Sequence, residues 1–167
     1  MSRTRRQRRS FARPETRPEY QLLESRTLLA GTPQLIDITP GAQDSMLTRG
    51  TEVGNWSIFM ARGPAGGYEL WKSDGTATGT TRIKDIVPGS GDSIPGQFTD
   101  VNRTLFFTIS PVSPQHQLWK SNGTEAGTVL VKDVGGRITE PINVMGTLYF
   151  SVTGSPEVTG LWKSDGT

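Results

Sequence analysis

The chain has 167 residues, with 18 Lys and Arg, 16 Asp and Glu, one His, 20 Gly, 11 Pro and no Cys, about the length of one domain. The missing cysteines exclude disulfides, thiol nucleophiles and Cys-based zinc sites, the single His116 excludes any site built on two imidazoles, and no run approaches the roughly 18 apolar residues that span a bilayer. Leu, Ile, Val and Phe together supply 37 residues, about 22%, just above the level of roughly 20% below which disorder is the default, so a folded, loop-rich protein is expected.

The net charge of +2 averages two unlike parts. Residues 1–30 hold Arg3, Arg5, Arg6, Arg8, Arg9, Arg13, Arg17 and Arg26 against Glu15, Glu19 and Glu24, a local charge of +5 that leaves the remainder at −3. With Pro14, Pro18 and almost no apolar residues, this stretch cannot bury enough surface to offset chain entropy, and a disordered basic tail is expected. Such an arm could neutralise phosphates, but no recognisable reading module follows it, and nucleic acid is not an expected partner. Arg8-Arg9 suggest an export signal, yet Arg13, Glu15, Arg17 and Glu19 occupy the place where such a signal needs its apolar stretch. Leucines at 22, 23, 28 and 29 share one face of a short predicted helix that stops at Gly31.

An internal repeat dominates the rest, and a period of 20–50 residues decides fold class. Glu69-Leu70-Trp71-Lys72-Ser73-Asp74-Gly75-Thr76-Ala77-Thr78-Gly79-Thr80 returns as Gln117-Leu118-Trp119-Lys120-Ser121-Asn122-Gly123-Thr124-Glu125-Ala126-Gly127-Thr128, and begins again as Gly160-Leu161-Trp162-Lys163-Ser164-Asp165-Gly166-Thr167. The tryptophans are 48 and then 43 residues apart, the shortening falling between Asp133 and Val144. Asp37-Ile38-Thr39-Pro40-Gly41 with Asp44-Ser45 matches Asp85-Ile86-Val87-Pro88-Gly89 with Asp92-Ser93, and Ile58-Phe59-Met60 is aligned with Leu105-Phe106-Phe107 and Leu148-Tyr149-Phe150. Two domains follow: a tail over 1–31 and a repeat region over 32–167, with units of about 32–80, 81–128 and 129–167.

Each unit predicts three or four antiparallel strands. Aromatic and β-branched runs at 104–109 and 147–152 read as buried strands, 117–120 as a second, 129–134 as a third, and 98–101 or 142–144 as a weaker one. Sheets repeating at this period suit the blades of a β-propeller, here an incomplete one; a β-sandwich is the alternative. About two and a half units leave sheet faces and strand edges open, so further repeats or other chains are expected to complete the ring.

The Ser-Asp-Gly-Thr stretch must first reverse the chain: Asp or Asn accepts from backbone N–H groups two residues on, Gly supplies positive φ, and Thr hydroxyls close a second turn. Asn122 standing where Asp74 and Asp165 stand fits this duty better than Ca²⁺, which usually gathers several carboxylates in one loop, although a calcium-stabilised array stays open. Trp71, Trp119 and Trp162 read as packing between sheets rather than as a row of sugar-stacking platforms. Catalysis finds no foothold: His116 is placed in a loop of one unit only, and Asp37, Asp85 and Asp133 supply one carboxylate per unit. No catalytic, cofactor or metal residues are assigned.

The string from Glu69 to Thr80 resembles the ELWxxDGTxxGT repeat, also described as hyalin-like, of large exported bacterial proteins. Leu23, Glu24, Arg26, Leu28 and Leu29 are similar to the LEPR-XLL segment found near the N-terminus of such proteins, with Ser25 in place of its proline. The resemblance implies propeller-like repeats and export to the envelope or the exterior, and it supplies no activity. The expected function is a non-catalytic binding or adhesion scaffold, with a carbohydrate or protein as surface ligand. The alternative is part of a carbohydrate-active propeller whose catalytic residues lie outside this chain.

Overall fold

The computed structural model describes residues 36–39, 45, 47–112, 115–154 and 156–167. All lie in Leu35–Thr167, the second of two units into which the chain divides, the first being Met1–Gln34. The basic tail and the short helix predicted over residues 22–31 fall outside the described residues.

The described residues form an all-β fold of three antiparallel sheets. Each β-branched or aromatic run becomes a strand, and Gly, Asn or Asp supplies the reversal between neighbours. The first sheet holds β1 (Thr48–Val53), β2 (Trp56–Arg62), β3 (Tyr68–Ser73) and β4 (Thr81–Lys84) in chain order. The second holds β5 (Gly96–Val101), β6 (Thr104–Val112), β7 (Gln115–Ser121) and β8 (Val129–Asp133), again in chain order. The third holds β9 (Arg137–Val144), β10 (Thr147–Thr153) and β11 (Gly160–Ser164). No helix among the described residues is long and apolar enough to cross a membrane.

The frame of the sheets is offset from that of the sequence repeat. The strand after each second Gly-Thr pairs backwards, β4 on β3 and β8 on β7, so each of the first two motifs joins the third and fourth strands of one sheet instead of closing a unit. The alignment of the second strands is also corrected by one residue. Phe59, Phe107 and Phe150 each lie opposite a motif tryptophan, Trp71, Trp119 and Trp162, so Phe59 is the counterpart of Phe107. Three apolar residues in a row look alike at either offset, whereas cross-strand pairing admits one.

Alternation along β6 shows how the sheets pack. Leu105, Phe107 and Ile109 join Val53, Ile58, Leu70 and Ile83 of the first sheet in one core. Phe106 points the other way and joins Val101 and Leu118 in a core with Ile138, Leu148, Phe150 and Val152 of the third sheet. A central strand covered on both faces needs an unbroken apolar run, which is why 105–107 show no polar alternation. The first strands of successive sheets lie side by side, β1 against β5 and β5 against β9. Between β5 and β9, the Thr99 hydroxyl donates to the Pro141 carbonyl at 3.1 Å and the Asn143 amide donates to the Asp100 carbonyl at 3.0 Å.

The connections between sheets are clamped at one equivalent place. In the first, the Tyr68 N–H donates to Asp92 Oδ1 at 2.8 Å, and its carbonyl accepts from the Ser93 N–H at 2.9 Å. Buried Glu69 accepts from the N–H groups of Ile86 and Val87 and from the Ser93 hydroxyl, at 3.1, 3.3 and 2.8 Å. Burial nevertheless pushes its carboxyl above the ordinary range, outweighing those hydrogen bonds. In the shorter second connection His116 stands 48 residues after Tyr68. Its N–H donates to the Gly136 carbonyl at 2.8 Å, its carbonyl accepts from the Val134 N–H at 3.2 Å, and Nδ1 accepts from the Ile138 N–H at 3.0 Å. His116 is therefore a residue of strand β7 and a structural clamp, where the sequence suggested a loop. Desolvation lowers its pKa, with Arg137 contributing, in keeping with a neutral ring that accepts a hydrogen bond.

Candidate functional site

Every letter of the repeated motif has a structural duty. Asp74 Oδ1 accepts from both the N–H and the hydroxyl of Thr76, at 2.9 and 2.7 Å, and Asn122 Oδ1 does the same for Thr124 at 3.0 and 2.7 Å. Asp165 repeats this with Thr167 at 3.0 and 2.7 Å. One acceptor oxygen does the work, which an amide supplies as well as a carboxylate. The Thr hydroxyls hold Asp74 and Asp165 below the usual carboxylate pKa. Thr76 and Thr124 hydroxyls then accept from the N–H groups of Gly79 and Gly127, at 2.9 and 3.0 Å. Thr80 and Thr128 close the loop on the carbonyls of Thr76 and Thr124, both at 2.7 Å.

Gly75, Gly123 and Gly166 all adopt positive φ, 89°, 84° and 89°, a conformation that favours glycine. Gly79 and Gly127 are glycine for a different reason. A Cβ there would collide with the Asp74 carboxylate or the Asn122 amide. Gly127→Ala is expected to push Asn122 off Thr124 and cost about 1–2 kcal/mol. In thermal denaturation Gly127→Ala should add little to Asn122→Ala, because the second change removes the obstructed group.

The Leu-Trp-Lys part of the motif faces three ways. Trp71 looks back from the first sheet onto Phe59, Ala61 and Ile38, while Trp119 and Trp162 pack in the cores that lie behind the second and third sheets. The Trp119 indole donates to Gln117 Oε1 at 3.1 Å and that of Trp162 to the Val158 carbonyl at 2.9 Å. Trp71 has no such partner, Glu69 being engaged elsewhere. Leu70 and Leu118 look forward into the next core. The lysines reach the next turn: Lys72 Nζ donates to the Gly123 carbonyl at 2.8 Å, and Lys120 Nζ donates to that of Gly166. Lys84 adds a bond to the Thr128 carbonyl at 2.9 Å.

With the motif thus occupied by turns, cores and latches, the solvent-facing chemistry lies beside it. A cleft of about 240 Å³ between the first and second sheets is lined by Val53, Asn55, Trp56, Arg103, Asn122 and Gly123, among others. Lys72 Nζ sits 4.5 Å from the Trp56 ring centroid, a cation–π contact that fixes the indole. Arg103 ends a two-residue hairpin turn with Asn102, both at positive φ, 53° and 64°, the pattern of a type I′ turn. Sequence reasoning passed over Trp56 because it stands outside the repeated motif. Its counterparts, fixed by the pairs Val53–Trp56, Val101–Thr104 and Val144–Thr147, are threonines, and that singularity was the available signal.

Among the described residues no three carboxylates or imidazoles converge as a metal cluster would require. Asp37 and Asp133 instead accept from nearby backbone N–H groups, those of Thr39 and Gly135, and Asp85 pairs with Arg82 at 3.3 Å. Comparison with protein-family models, with curated proteins and with solved structures yields no match to this chain.

Proposed function

We propose that this chain is a non-catalytic binding scaffold: a β-propeller-type arc of an exported protein, whose surface takes a carbohydrate. The propeller reading is supported by sheets that stack face to face with their first strands side by side, the arrangement of blades around an axis. Export is supported by the resemblance of the repeat and of the LEPR-XLL-like segment. The observation that carries the binding reading is the Trp56 cleft. An indole face beside the amides of Asn55 and Asn122 and the guanidinium of Arg103 offers the stacking surface and convergent polar groups that a sugar ring requires.

Titration of the chain with neutral oligosaccharides, followed by tryptophan fluorescence, tests this. A saturable shift is expected in the native chain and none in Trp56→Ala. An unchanged native spectrum, or an equal shift in Trp56→Ala, overturns the assignment.

A further inference from the structure

We propose that the Trp56 cleft selects an acidic sugar, stacking its ring on the indole and holding its anionic group between the Arg103 guanidinium and the Asn122 amide. This deepens the carbohydrate reading of the cleft and rests on it. The two interfaces between successive sheets repeat one packing scheme, so the second serves as an internal control for the first. Val53 and Ile58 at the first are matched by Val101 and Phe106 at the second, and Gly123, which accepts from Lys72, is matched by Gly166, which accepts from Lys120. Three positions of the cleft break the pattern. Trp56 is matched by Thr104, Arg103 by Gly146, and Asn122 by Asp165. Relative to the second interface, the first has an added indole, an added guanidinium and one carboxylate fewer, while the packing residues keep their character.

The fold does not ask for these differences. Arg103 is held at φ 64°, where Gly146 of the equivalent turn has φ 83°; a side chain is strained in this region and glycine is not. An arginine kept at such a position points to a duty outside the turn. Asn122 Oδ1 accepts from the Thr124 hydroxyl as Asp74 and Asp165 do from Thr76 and Thr167. A carboxylate would serve that turn equally well, and the amide adds an Nδ2 group that can donate to a further acceptor.

The charge of the cleft follows. Among the described residues the one ion pair joins Arg82 to Asp85, so the exposed Arg103 guanidinium keeps its charge for a ligand. No carboxylate lines the cleft; Glu52 lines a separate recess that Trp56 also borders. Lys72 Nζ, 4.5 Å from the Trp56 ring centroid, adds a second positive charge. At the second interface the equivalent Lys120 is answered by Asp165, whose pKa is lowered first by the Thr167 hydroxyl and further by the Lys120 charge. Asn122 gives Lys72 no such answer. The cleft is thus positive within a region, residues 31–167, that carries −3 in all. A planar guanidinium offers paired N–H donors to a carboxylate or a sulfate, the anionic groups that acidic sugars bear.

Tryptophan fluorescence of the full chain, titrated with trigalacturonate and with its methyl ester, tests the choice, since the two share their rings and differ in charge. The acid should bind about tenfold more tightly, the gain from one hydrogen bond to a charged group, and added sodium chloride should erase that preference. Arg103→Gly should bring the affinities of acid and ester together without lowering the melting temperature, because glycine suits the turn. Asn122→Asp, which keeps the turn acceptor, should narrow the gap as well. The basic stretch over residues 1–30 attracts the same anions, and every variant retains it. A sulfated trisaccharide set against its desulfated form tells sulfate from carboxylate; a preference for either acid that Arg103→Gly abolishes supports the proposal. Equal affinity for charged and neutral forms, or a preference that survives Arg103→Gly, overturns it and leaves carbohydrate binding standing. The absence of a saturable shift with all of these sugars overturns the carbohydrate reading and this inference with it.

Discussion

Phe107→Ala is expected to lower the stability of the chain by about 3–5 kcal/mol, the cost of deleting a large buried ring and leaving a cavity. Phe107 is fully buried in the core shared by the first two sheets. Its ring meets Phe98 edge-on, with centroids 6.4 Å apart, and tilts over Trp119 at 6.3 Å. The void would open between two sheets, so both lose contacts and neither can close over it by moving alone. Leu130→Ala is the comparison. Leu130 lies on outer strand β8 and is 46% exposed, and its truncation should change stability by no more than about 0.5 kcal/mol. Urea denaturation of the two variants reads the difference; equal losses would mean that the second sheet does not rest on the first as described.

Glu69→Leu should cost about 3 kcal/mol, because it strands three donors at once. The N–H groups of Ile86 and Val87 and the hydroxyl of Ser93 all point at this carboxylate, and the side chain is 1% exposed. The connection from β4 to β5 would lose its anchor, and amide hydrogen exchange should speed up over residues 86–93. The same residue gives stability a pH dependence. Since burial raises the Glu69 pKa above 4.5, the native state holds this proton more tightly than the unfolded chain does. Its contribution is fully present below the ordinary carboxylate pKa and is lost as pH rises through the raised value. Glu69→Leu should remove that slope, and an unchanged slope would place its origin elsewhere.

The repeat was legible because one interface is used twice, and each use demands the same residues. Trp, Asp or Asn, and the first Gly-Thr pair recur at 48 and 43 residues, and the second Gly-Thr pair at 48, because each serves a turn or a core. Strand content followed from aromatic and β-branched runs, and the shortened connection was visible as a gap between Asp133 and Val144. His116 and Trp56 were not legible. Their roles depend on partners from other sheets or connections, Ile138 and Gly136 for one, Arg103 and Asn122 for the other. Local sequence carries no mark of such encounters beyond the singularity of Trp56 against the threonines at its equivalent positions.

By itself, then, the sequence determined an all-β chain of repeated antiparallel units, with turns whose chemistry is written in Asp, Gly and Thr. Those properties arise from neighbours in the chain and from the period-two alternation of a strand. Only the tertiary structure decided the phase of the sheets, the pairing of Phe59 with Trp71, and the direction in which each motif residue looks. It also decided that Lys72 and Lys120 latch onto the following turn while Leu161 stays exposed. The reason is that Leu70, Leu118 and Leu161 are the same letter in the same motif, and their burial depends on whether another sheet stands in front of them.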